Sequence, residues 1–154
     1  MTDASVRTYL SLGSNLGDRR AHLRQALDSL PDLVAVSPVY ETDPVGGPDQ
    51  GPYLNVVARL DTAVAPRRLL AICHRIEANA ERVRAERWGP RTLDVDIIWM
   101  EGVTMNDERL TIPHPRWRER KFVLVPLREL APELVTATDI DMADGRVWPV
   151  EPLR

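Results

Sequence analysis

One stretch of the chain constrains its fold more than any other, because an arginine-bearing loop runs directly into a strand that carries two aspartates. It reads RWGPRTLDVDIIW and spans residues 87–99. After the Gly-Pro breaker, residues 92–99 contain many β-branched and aromatic side chains and neither Gly nor Pro, which predicts a strand. Side chains alternate along a strand, so Asp94 and Asp96 share one face. Leu93, Val95 and Ile97 then point into a core.

The aspartate pair predicts a site for a divalent cation. Two residues along a strand span roughly 6.6 Å, so both carboxylates can converge on one or two hard cations, of which Mg²⁺ is the default. The ion also relieves the repulsion between neighbouring carboxylates. With Arg87 and Arg91 close in sequence, the combination suits a polyphosphate substrate. A solvated strand face with local ion pairs would show the same short pattern, so the aspartates alone leave that alternative open.

The distribution of charge points to an anionic ligand. The net charge is −3 and the pI about 5.6, which argues against a general nucleic-acid binder or a membrane-surface protein. Positive charge is nevertheless concentrated in residues 82–91 and 109–121. Nearly all of it is arginine, which favours bidentate phosphate contacts, although a gene rich in G and C would give the same bias.

Size and cysteine usage limit the class of protein. A chain of 154 residues with 44% hydrophobic residues predicts one domain around one core. Cys73, the single cysteine, excludes a disulfide framework and a cysteine zinc site, and its place on an apolar helix face predicts a packed thiol. The first residues lack signal-peptide character, and no apolar run approaches the ~18 residues of a membrane span. We therefore expect a cytoplasmic protein with no membrane partner.

Hydrophobic periodicity predicts a mixed α and β chain. Strands are expected at 6–12, 34–40, 53–60 and 92–99, and helices at about 18–30 and 66–80. Beyond them we expect a short extended piece at 109–114, a basic helical turn from Pro115 and a last helix that Pro126 opens and that ends near Pro132. The tail from Asp139 is expected to be a weakly structured extension or a late strand. The loop at 41–52 holds three Gly and three Pro, and a loop of this length is usually functional.

Two further features admit a functional and a plain interpretation. Tyr53 and Asn55 share a face of their strand, where an aromatic ring beside a carboxamide suits a flat heterocycle. An exposed polar sheet face explains them equally well. His114, with Arg118 and Arg120 after it, is placed to donate to a phosphate, but a lone histidine is more often a simple surface or packed residue.

With these pieces in order, the sequence resembles the 6-hydroxymethyl-7,8-dihydropterin pyrophosphokinase family of folate biosynthesis. The resemblance runs over roughly residues 8–135. Its motifs are LGSNLG at 12–17, YETDPVG at 40–46, YLN at 53–55, IE at 76–77, RVR at 82–84, RWGPRTLDVDI at 87–97, PH at 113–114, and Arg120 with Phe122. The string at 87–97 is the most specific of them.

The resemblance implies a ferredoxin-like α/β (α+β) fold, a mostly antiparallel sheet flanked by helices. It implies a single domain over residues 1–154, in which 136–154 form a C-terminal extension. The implied reaction transfers the β,γ-diphosphate of ATP to the hydroxymethyl group of the pterin and leaves AMP. ATP and 6-hydroxymethyl-7,8-dihydropterin would be the partners, and we expect a monomer that binds no nucleic acid.

The resemblance also assigns roles to individual residues. Asp94 and Asp96 would hold two Mg²⁺ ions and, with Arg82, Arg84 and Arg91, form the catalytic set. The residues implied to bind the pterin are Thr42, Val45, Tyr53, Asn55, Trp88 and Phe122. Those implied to bind the nucleotide are His74, Glu77, Arg84, Ile97, Arg109, Thr111, His114 and Arg120.

The chain departs from the family pattern at four positions. The departures are Asp43 for a usual Pro, His74 for a common Gln, Glu81 for a frequent Gly and Pro115 for a frequent Tyr. None of them removes a metal ligand or a catalytic arginine. They bear on loop dynamics and nucleotide affinity more than on the reaction.

Two other functions suit the same residues. One is a non-catalytic nucleotide-binding or RNA-binding module on a ferredoxin-like scaffold. Against it stand the acidic pI, the acidic pair in the expected site and a sheet face without the aromatic signature of an RNA-recognition domain. The other is a phosphodiester hydrolase that uses the same aspartates.

Overall fold

The centre of the fold is an antiparallel sheet, seen in a computed structural model that describes residues 4–15, 17–42, 52–81 and 92–153. The strands are β1 (Val6–Ser14), β2 (Leu33–Val36), β3 (Tyr40–Thr42), β4 (Tyr53–Thr62), β5 (Asp94–Met100), β6 (Met105–Asn106), β7 (Thr111–Ile112) and β8 (Val147–Pro149). The helices are α1 (Arg19–Ser29), α2 (Pro66–Glu81), α3 (Lys121–Leu130) and α4 (Ala137–Met142), with a 3₁₀ helix at Trp117–Glu119. The strand order of the main sheet is β5-β1-β4-β3-β8, and β2 also pairs with β4.

The sheet has the architecture that the resemblance implied. The pairings of β1 with β4 and β5, of β4 with β2 and β3, and of β3 with β8 are all antiparallel. A separate hairpin joins β6 and β7. The expected α+β class with a mostly antiparallel sheet flanked by helices is confirmed. None of the helices in the described ranges is both long and apolar enough to cross a bilayer.

Helices cover the two faces of the sheet unequally. One face packs against α1 and α2 in a large core, to which the strands contribute alternate residues such as Leu12, Val56 and Val95. On the other face a smaller core gathers around α3 and includes Val57 and Ile98. Because side chains alternate, polar residues further along the same strands share this second face. This polar end of the face carries the candidate site.

Most of the predicted elements are confirmed, with shifted ends. Asp18 caps α1 as expected, since its carboxylate accepts a hydrogen bond from the Ala21 N–H at 3.1 Å. Cys73 is completely buried on α2, and burial raises its pKa to about 12. The packed, unreactive thiol is therefore confirmed. The late strand expected in the tail is β8.

The prediction of one strand over residues 34–40 is wrong. The segment forms two short strands, β2 and β3, which pair with different parts of β4. Pro38 has no N–H to donate to a ladder, so the pairing is interrupted there. Ser37 continues the contact in a different way, because its backbone N–H donates to the Val57 carbonyl and its hydroxyl accepts from the Val57 N–H, each at 2.9 Å.

The predicted start of the last helix is also wrong. Helix α3 begins at Lys121 and contains Pro126 in its interior. The buried side chains of Val123, Leu124 and Leu127 hold the helix against the sheet on both sides of the proline. Packing thus outweighs the single backbone hydrogen bond that the proline removes. Helix α4 was not predicted, although Thr136 and Asp139 form a complete capping box at its start.

Candidate active site

The register of three adjacent strands brings the polar residues of the site together. Gly13 on β1 pairs with Asn55 on β4 and with Asp94 on β5. Two residues earlier on β1, Ser11 pairs with Asp96 on the β5 side. Small residues on the central strand therefore separate the carboxylates on one side from the carboxamide on the other. This arrangement leaves an open floor between them.

A first cavity lies on this floor and has a volume of about 140 Å³. Its lining residues are Ser11, Gly13, Thr42, Tyr53, Asn55, Asp94, Asp96, Arg120 and Phe122. Four of the residues expected to hold a pterin, namely Thr42, Tyr53, Asn55 and Phe122, are thus gathered around one space. The cavity combines two aromatic rings with a buried carboxamide, which suits a flat, polar heterocycle.

The carboxamide of Asn55 is held in one orientation. The residue is 3% exposed, and its Nδ2 donates to the Thr42 hydroxyl at 2.9 Å. A β-carbon at Gly13 would lie 2.7 Å from the Asn55 Oδ1, so the glycine makes room for that oxygen. Thr42 and Gly13 together orient hydrogen-bonding groups before any ligand binds, which lowers the entropy cost of binding.

A second, larger cavity is a groove between α2 and the segment 107–115. Its volume is about 460 Å³. The predicted nucleotide-binding residues that line it are His74, Glu77, Ile97, Arg109, Thr111 and His114. Arg120 lies apart from the groove: it lines the first cavity, where its guanidinium carbon is 5.6 Å from the centre of the Phe122 ring.

Glu77 supports the strand that carries the aspartates. Its Oε2 accepts a hydrogen bond from the Val95 N–H at 2.8 Å. Within the described part of the chain, strand β5 lies at an edge of the main sheet, where the backbone N–H groups that point away from β1 have no neighbouring strand. The contact satisfies the N–H between Asp94 and Asp96 and attaches β5 to α2.

His114 is fixed by its neighbours on the β7 side of the groove. Its imidazole Nδ1 accepts a hydrogen bond from the backbone N–H of Arg116 at 3.1 Å. The backbone N–H of His114 donates to the Ile98 carbonyl at 2.8 Å. Burial lowers the pKa of the imidazole, and the positive charges of Arg120 and Arg116 lower it further, against the opposing effect of Asp96. An accepting Nδ1 in a neutral ring leaves Nε2 as the donor. His114 can therefore donate one hydrogen bond to an anion in the groove.

Asp94 and Asp96 line both cavities. Asp94 is half-buried and Asp96 is exposed. No group of three or more potential metal ligands occurs among the residues that the structure describes. A pair of carboxylates nevertheless fits Mg²⁺, which is usually held by one or two carboxylates together with water and substrate phosphates. The two aspartates are therefore suited to a metal that is shared with a phosphorylated ligand.

Several predicted site residues lie outside the described ranges. They are Val45, Arg82, Arg84, Trp88 and Arg91. Their predicted roles stay predictions. Two residues of the cavity were missed in the sequence, Ser11 and Gly13. Their alternation along β1 with the core residues Leu10 and Leu12 is a usable signal, because it assigns them to the polar face.

Comparisons with known proteins show the family to which the chain is similar. The family model described as 7,8-dihydro-6-hydroxymethylpterin-pyrophosphokinase (HPPK) matches residues 9–132. A 2-amino-4-hydroxy-6-hydroxymethyldihydropteridine pyrophosphokinase of Methylorubrum extorquens is 48% identical over 135 residues, covering 84% of this chain and 85% of its own. The enzyme of the same name from Bacillus subtilis is 43% identical over 148 residues, covering 91% and 89%.

Solved structures share the fold. An HPPK-DHPS in complex with substrates gives a TM-score of 0.61 at 13% identity and covers 91% of this chain. The Plasmodium falciparum HPPK-DHPS with pterin and p-hydroxybenzoate gives a TM-score of 0.62 at 16% identity and covers 86%. The chain spans 42% and 40% of those longer chains.

Proposed function

The chain belongs to the 7,8-dihydro-6-hydroxymethylpterin-pyrophosphokinase family, and from that premise we propose which of its residues hold the pterin, the nucleotide and the metal. It is an ATP-dependent pyrophosphokinase of folate biosynthesis whose activity requires a divalent metal, and its substrates are ATP and the hydroxymethyl dihydropterin. The RNA-binding alternative is not favoured.

The first cavity binds the pterin in this proposal. Tyr53 and Phe122 contact the faces of the ring, while Asn55 and Thr42 bond to its polar edge. The support is chemical, because a heterocycle with donors and acceptors in its plane matches a carboxamide that is buried and oriented in advance. Val45 and Trp88 complete the pterin site by the family resemblance.

The groove binds ATP. It is wider than the first cavity and is lined by the polar side chains of His74, Arg109, Thr111 and His114. His114 donates from Nε2 to a phosphate oxygen, and Arg109 adds positive charge at the exposed rim. Arg120 lines the first cavity together with Asp94 and Asp96. From there it faces the phosphates that are transferred to the pterin.

One observation carries the proposal: the two carboxylates line both cavities. A nucleotide in the groove and a pterin in the cavity would therefore meet at Asp94 and Asp96. We assign two Mg²⁺ ions to this pair. Asp94 and Asp96 would hold the metal, which would supply positive charge to offset the negative charge that spreads over the transferred diphosphate.

The protein side chains do the remaining work by position and charge. Asn55 and the aromatic rings orient the pterin so that its hydroxymethyl oxygen points along the floor of the cavity toward Asp94. Attack by that oxygen on the β-phosphorus forms a new P–O bond and breaks the bond from that phosphorus to the oxygen that bridges it to the α-phosphate. AMP leaves with the bridging oxygen, and the hydroxyl proton leaves to solvent or phosphate. Arg82, Arg84 and Arg91 are assigned to the phosphates by the resemblance, where arginine forks match phosphate oxygens. No covalent intermediate on the protein is required.

We expect a single catalytic domain over residues 1–154 that acts as a monomer in the cytoplasm without nucleic acid. The acidic pI of about 5.6 supports the last point.

The proposal is tested by incubating the purified chain with ATP, Mg²⁺ and 6-hydroxymethyl-7,8-dihydropterin and following AMP. AMP release that requires both the pterin and Mg²⁺ is the expected result. ATP or phosphodiester hydrolysis without the pterin, or nucleic-acid binding without turnover, would contradict it. Replacing Mg²⁺ with an excess of a chelator is the control for the metal requirement.

A further inference from the structure

A C-terminal segment, residues 143–150, contacts the two opposite walls of the first cavity. We call it the C-terminal brace. It lies outside residues 9–132, the part of the chain that the family model matches. One wall consists of Thr42, Tyr53 and Asn55, and the other of Arg120 and Phe122. The brace is joined to each wall by backbone pairing.

On the first wall the brace extends the sheet. Its strand β8 pairs antiparallel with β3, and Val147 is the partner of Thr42. The Val150 N–H donates to the Val39 carbonyl at 3.1 Å, just before β3. Thr42 is the residue whose hydroxyl orients the Asn55 carboxamide at 2.9 Å. Strand β8 therefore fixes the strand that sets the hydrogen-bonding edge of the cavity.

On the second wall the brace joins the start of α3. The Asp144 N–H donates to the Glu119 carbonyl at 3.0 Å, and the Asp144 carbonyl accepts from the Lys121 N–H at 3.1 Å. These two bonds flank Arg120, which forms a parallel bridge with Asp144. Phe122 follows directly in α3. The position of the Phe122 ring thus depends on the place where Asp144 is anchored.

Gly145 connects the two attachments. Its φ is +110°, a backbone conformation that L side chains rarely adopt. Among the described residues, no atom lies within 4 Å of the site that a β-carbon would occupy there. The positive φ of the turn is therefore the reason for the glycine. Beside it a cavity of about 210 Å³ is bordered by the brace and by Thr42, Arg120 and Phe122.

We propose that the C-terminal brace is a positioning element for the pterin, because it sets the separation of the Thr42–Asn55 wall from the Arg120–Phe122 wall. This inference rests on the proposed role of the first cavity. Residues of the brace line neither the first cavity nor the groove, so its effect on the pterin would be transmitted through Thr42 and Phe122. Fixing the spacing of the two walls in advance lowers the entropy cost of holding a ring between them. No residue of the brace lines the groove, which borders the first cavity at Asp94 and Asp96. Binding of ATP in the groove should therefore not depend on the brace.

The test compares alanine substitutions at two glycines that both have a positive φ. Gly145→Ala places a side chain at a positive φ in the brace. Gly102→Ala does the same at a φ of +73° in the turn after β5, where again no atom of a described residue lies within 4 Å of the added carbon. We expect Gly145→Ala to raise the KM for the pterin about tenfold with little change in the KM for ATP. Gly102→Ala should lower the urea midpoint and leave the KM for the pterin unchanged.

Equal KM values for the pterin in the folded Gly145→Ala variant and the parent would overturn the proposal. So would a matching rise in Gly102→Ala, since general destabilisation would then explain both. If Gly145→Ala does not fold, hydrogen exchange of the parent decides. Binding of the pterin must slow exchange at the Asp144 and Val150 amides, because coupling between the site and the brace is reciprocal. Unchanged exchange at both amides, in a parent that binds and turns over the pterin, would reject the brace and leave the proposed function intact.

Discussion

The two cavities that meet at the aspartates are built in different ways. The first cavity, the proposed pterin site, lies on strands of the central sheet, and two of its polar residues, Asn55 and Thr42, are buried and hydrogen-bonded to each other. The groove is bordered by one face of α2 and the segment 107–115, and Arg109 and His74 on its rim are exposed. When one partner of a buried hydrogen bond is removed, the other partner stays buried without a bond and its full desolvation cost destabilises the site. An exposed charge, in contrast, is screened by water and salt. Selectivity should therefore reside in the proposed pterin cavity and not in the groove.

The largest expected effect comes from the buried carboxamide. Asn55→Leu keeps the size of the side chain but removes its hydrogen bonds to the ligand and to Thr42, which costs about 2–3 kcal/mol if two or three bonds are lost. Pterin binding should weaken on the order of 100-fold, with the Kd for ATP unchanged, as titration calorimetry would measure.

The matched control for that variant is Thr42→Ser. It keeps the hydroxyl that accepts from Asn55, so pterin affinity should stay close to that of the parent. A loss of ATP affinity as large as the loss of pterin affinity in Asn55→Leu would break the distinction between the two cavities.

A smaller effect is expected at the rim of the groove. Arg109→Ala removes an exposed charge, and contacts of this kind contribute roughly 0.2–1 kcal/mol. The KM for ATP should rise about threefold at low salt and less at high salt, and the KM for the pterin should not change. A 100-fold rise that salt does not reduce would show that the groove reads ATP as selectively as the cavity reads the pterin.

The smallest expected effect concerns the ionisation of His114. Burial lowers its pKa, so the folded state favours the neutral ring. Its contribution to stability is therefore present above the unfolded pKa of about 6.5 and is lost as the pH falls through the lower folded value. The urea midpoint of the parent should fall more between pH 7.5 and pH 5 than that of His114→Gln. An identical fall in both proteins would show that His114 makes no such contribution.

The difference between the two cavities also explains what could be predicted from the sequence. Alternation along β4 and β5 placed Tyr53 with Asn55 and Asp94 with Asp96 correctly, because a period of two fixes the face of a strand. Alternation does not say which strands are neighbours. The pairing of Gly13 with both Asn55 and Asp94 is a long-range contact, so the shared floor was not predictable from residue pattern alone.

Tertiary contacts determine two features that the sequence pattern did not predict, namely the start of α3 and the attachments of the brace. Pro126 suggested a helix start, yet the apolar residues on both sides of it bury against the sheet and hold one continuous helix. The brace was predicted only as an extension or late strand. Its attachments to β3 and to the start of α3 are made by backbone groups, which leave no residue pattern to detect.

The proposed reaction depends on a metal held by Asp94 and Asp96 where the two cavities meet. The most direct test is turnover by the double variant Asp94→Asn/Asp96→Asn, with circular dichroism and pterin binding measured on the same sample. We expect a folded protein that still binds the pterin and whose kcat falls at least roughly 1,000-fold, since both negative ligands of the metal are lost. A folded double variant that releases AMP as fast as the parent would show that these aspartates do not hold the metal that the reaction requires.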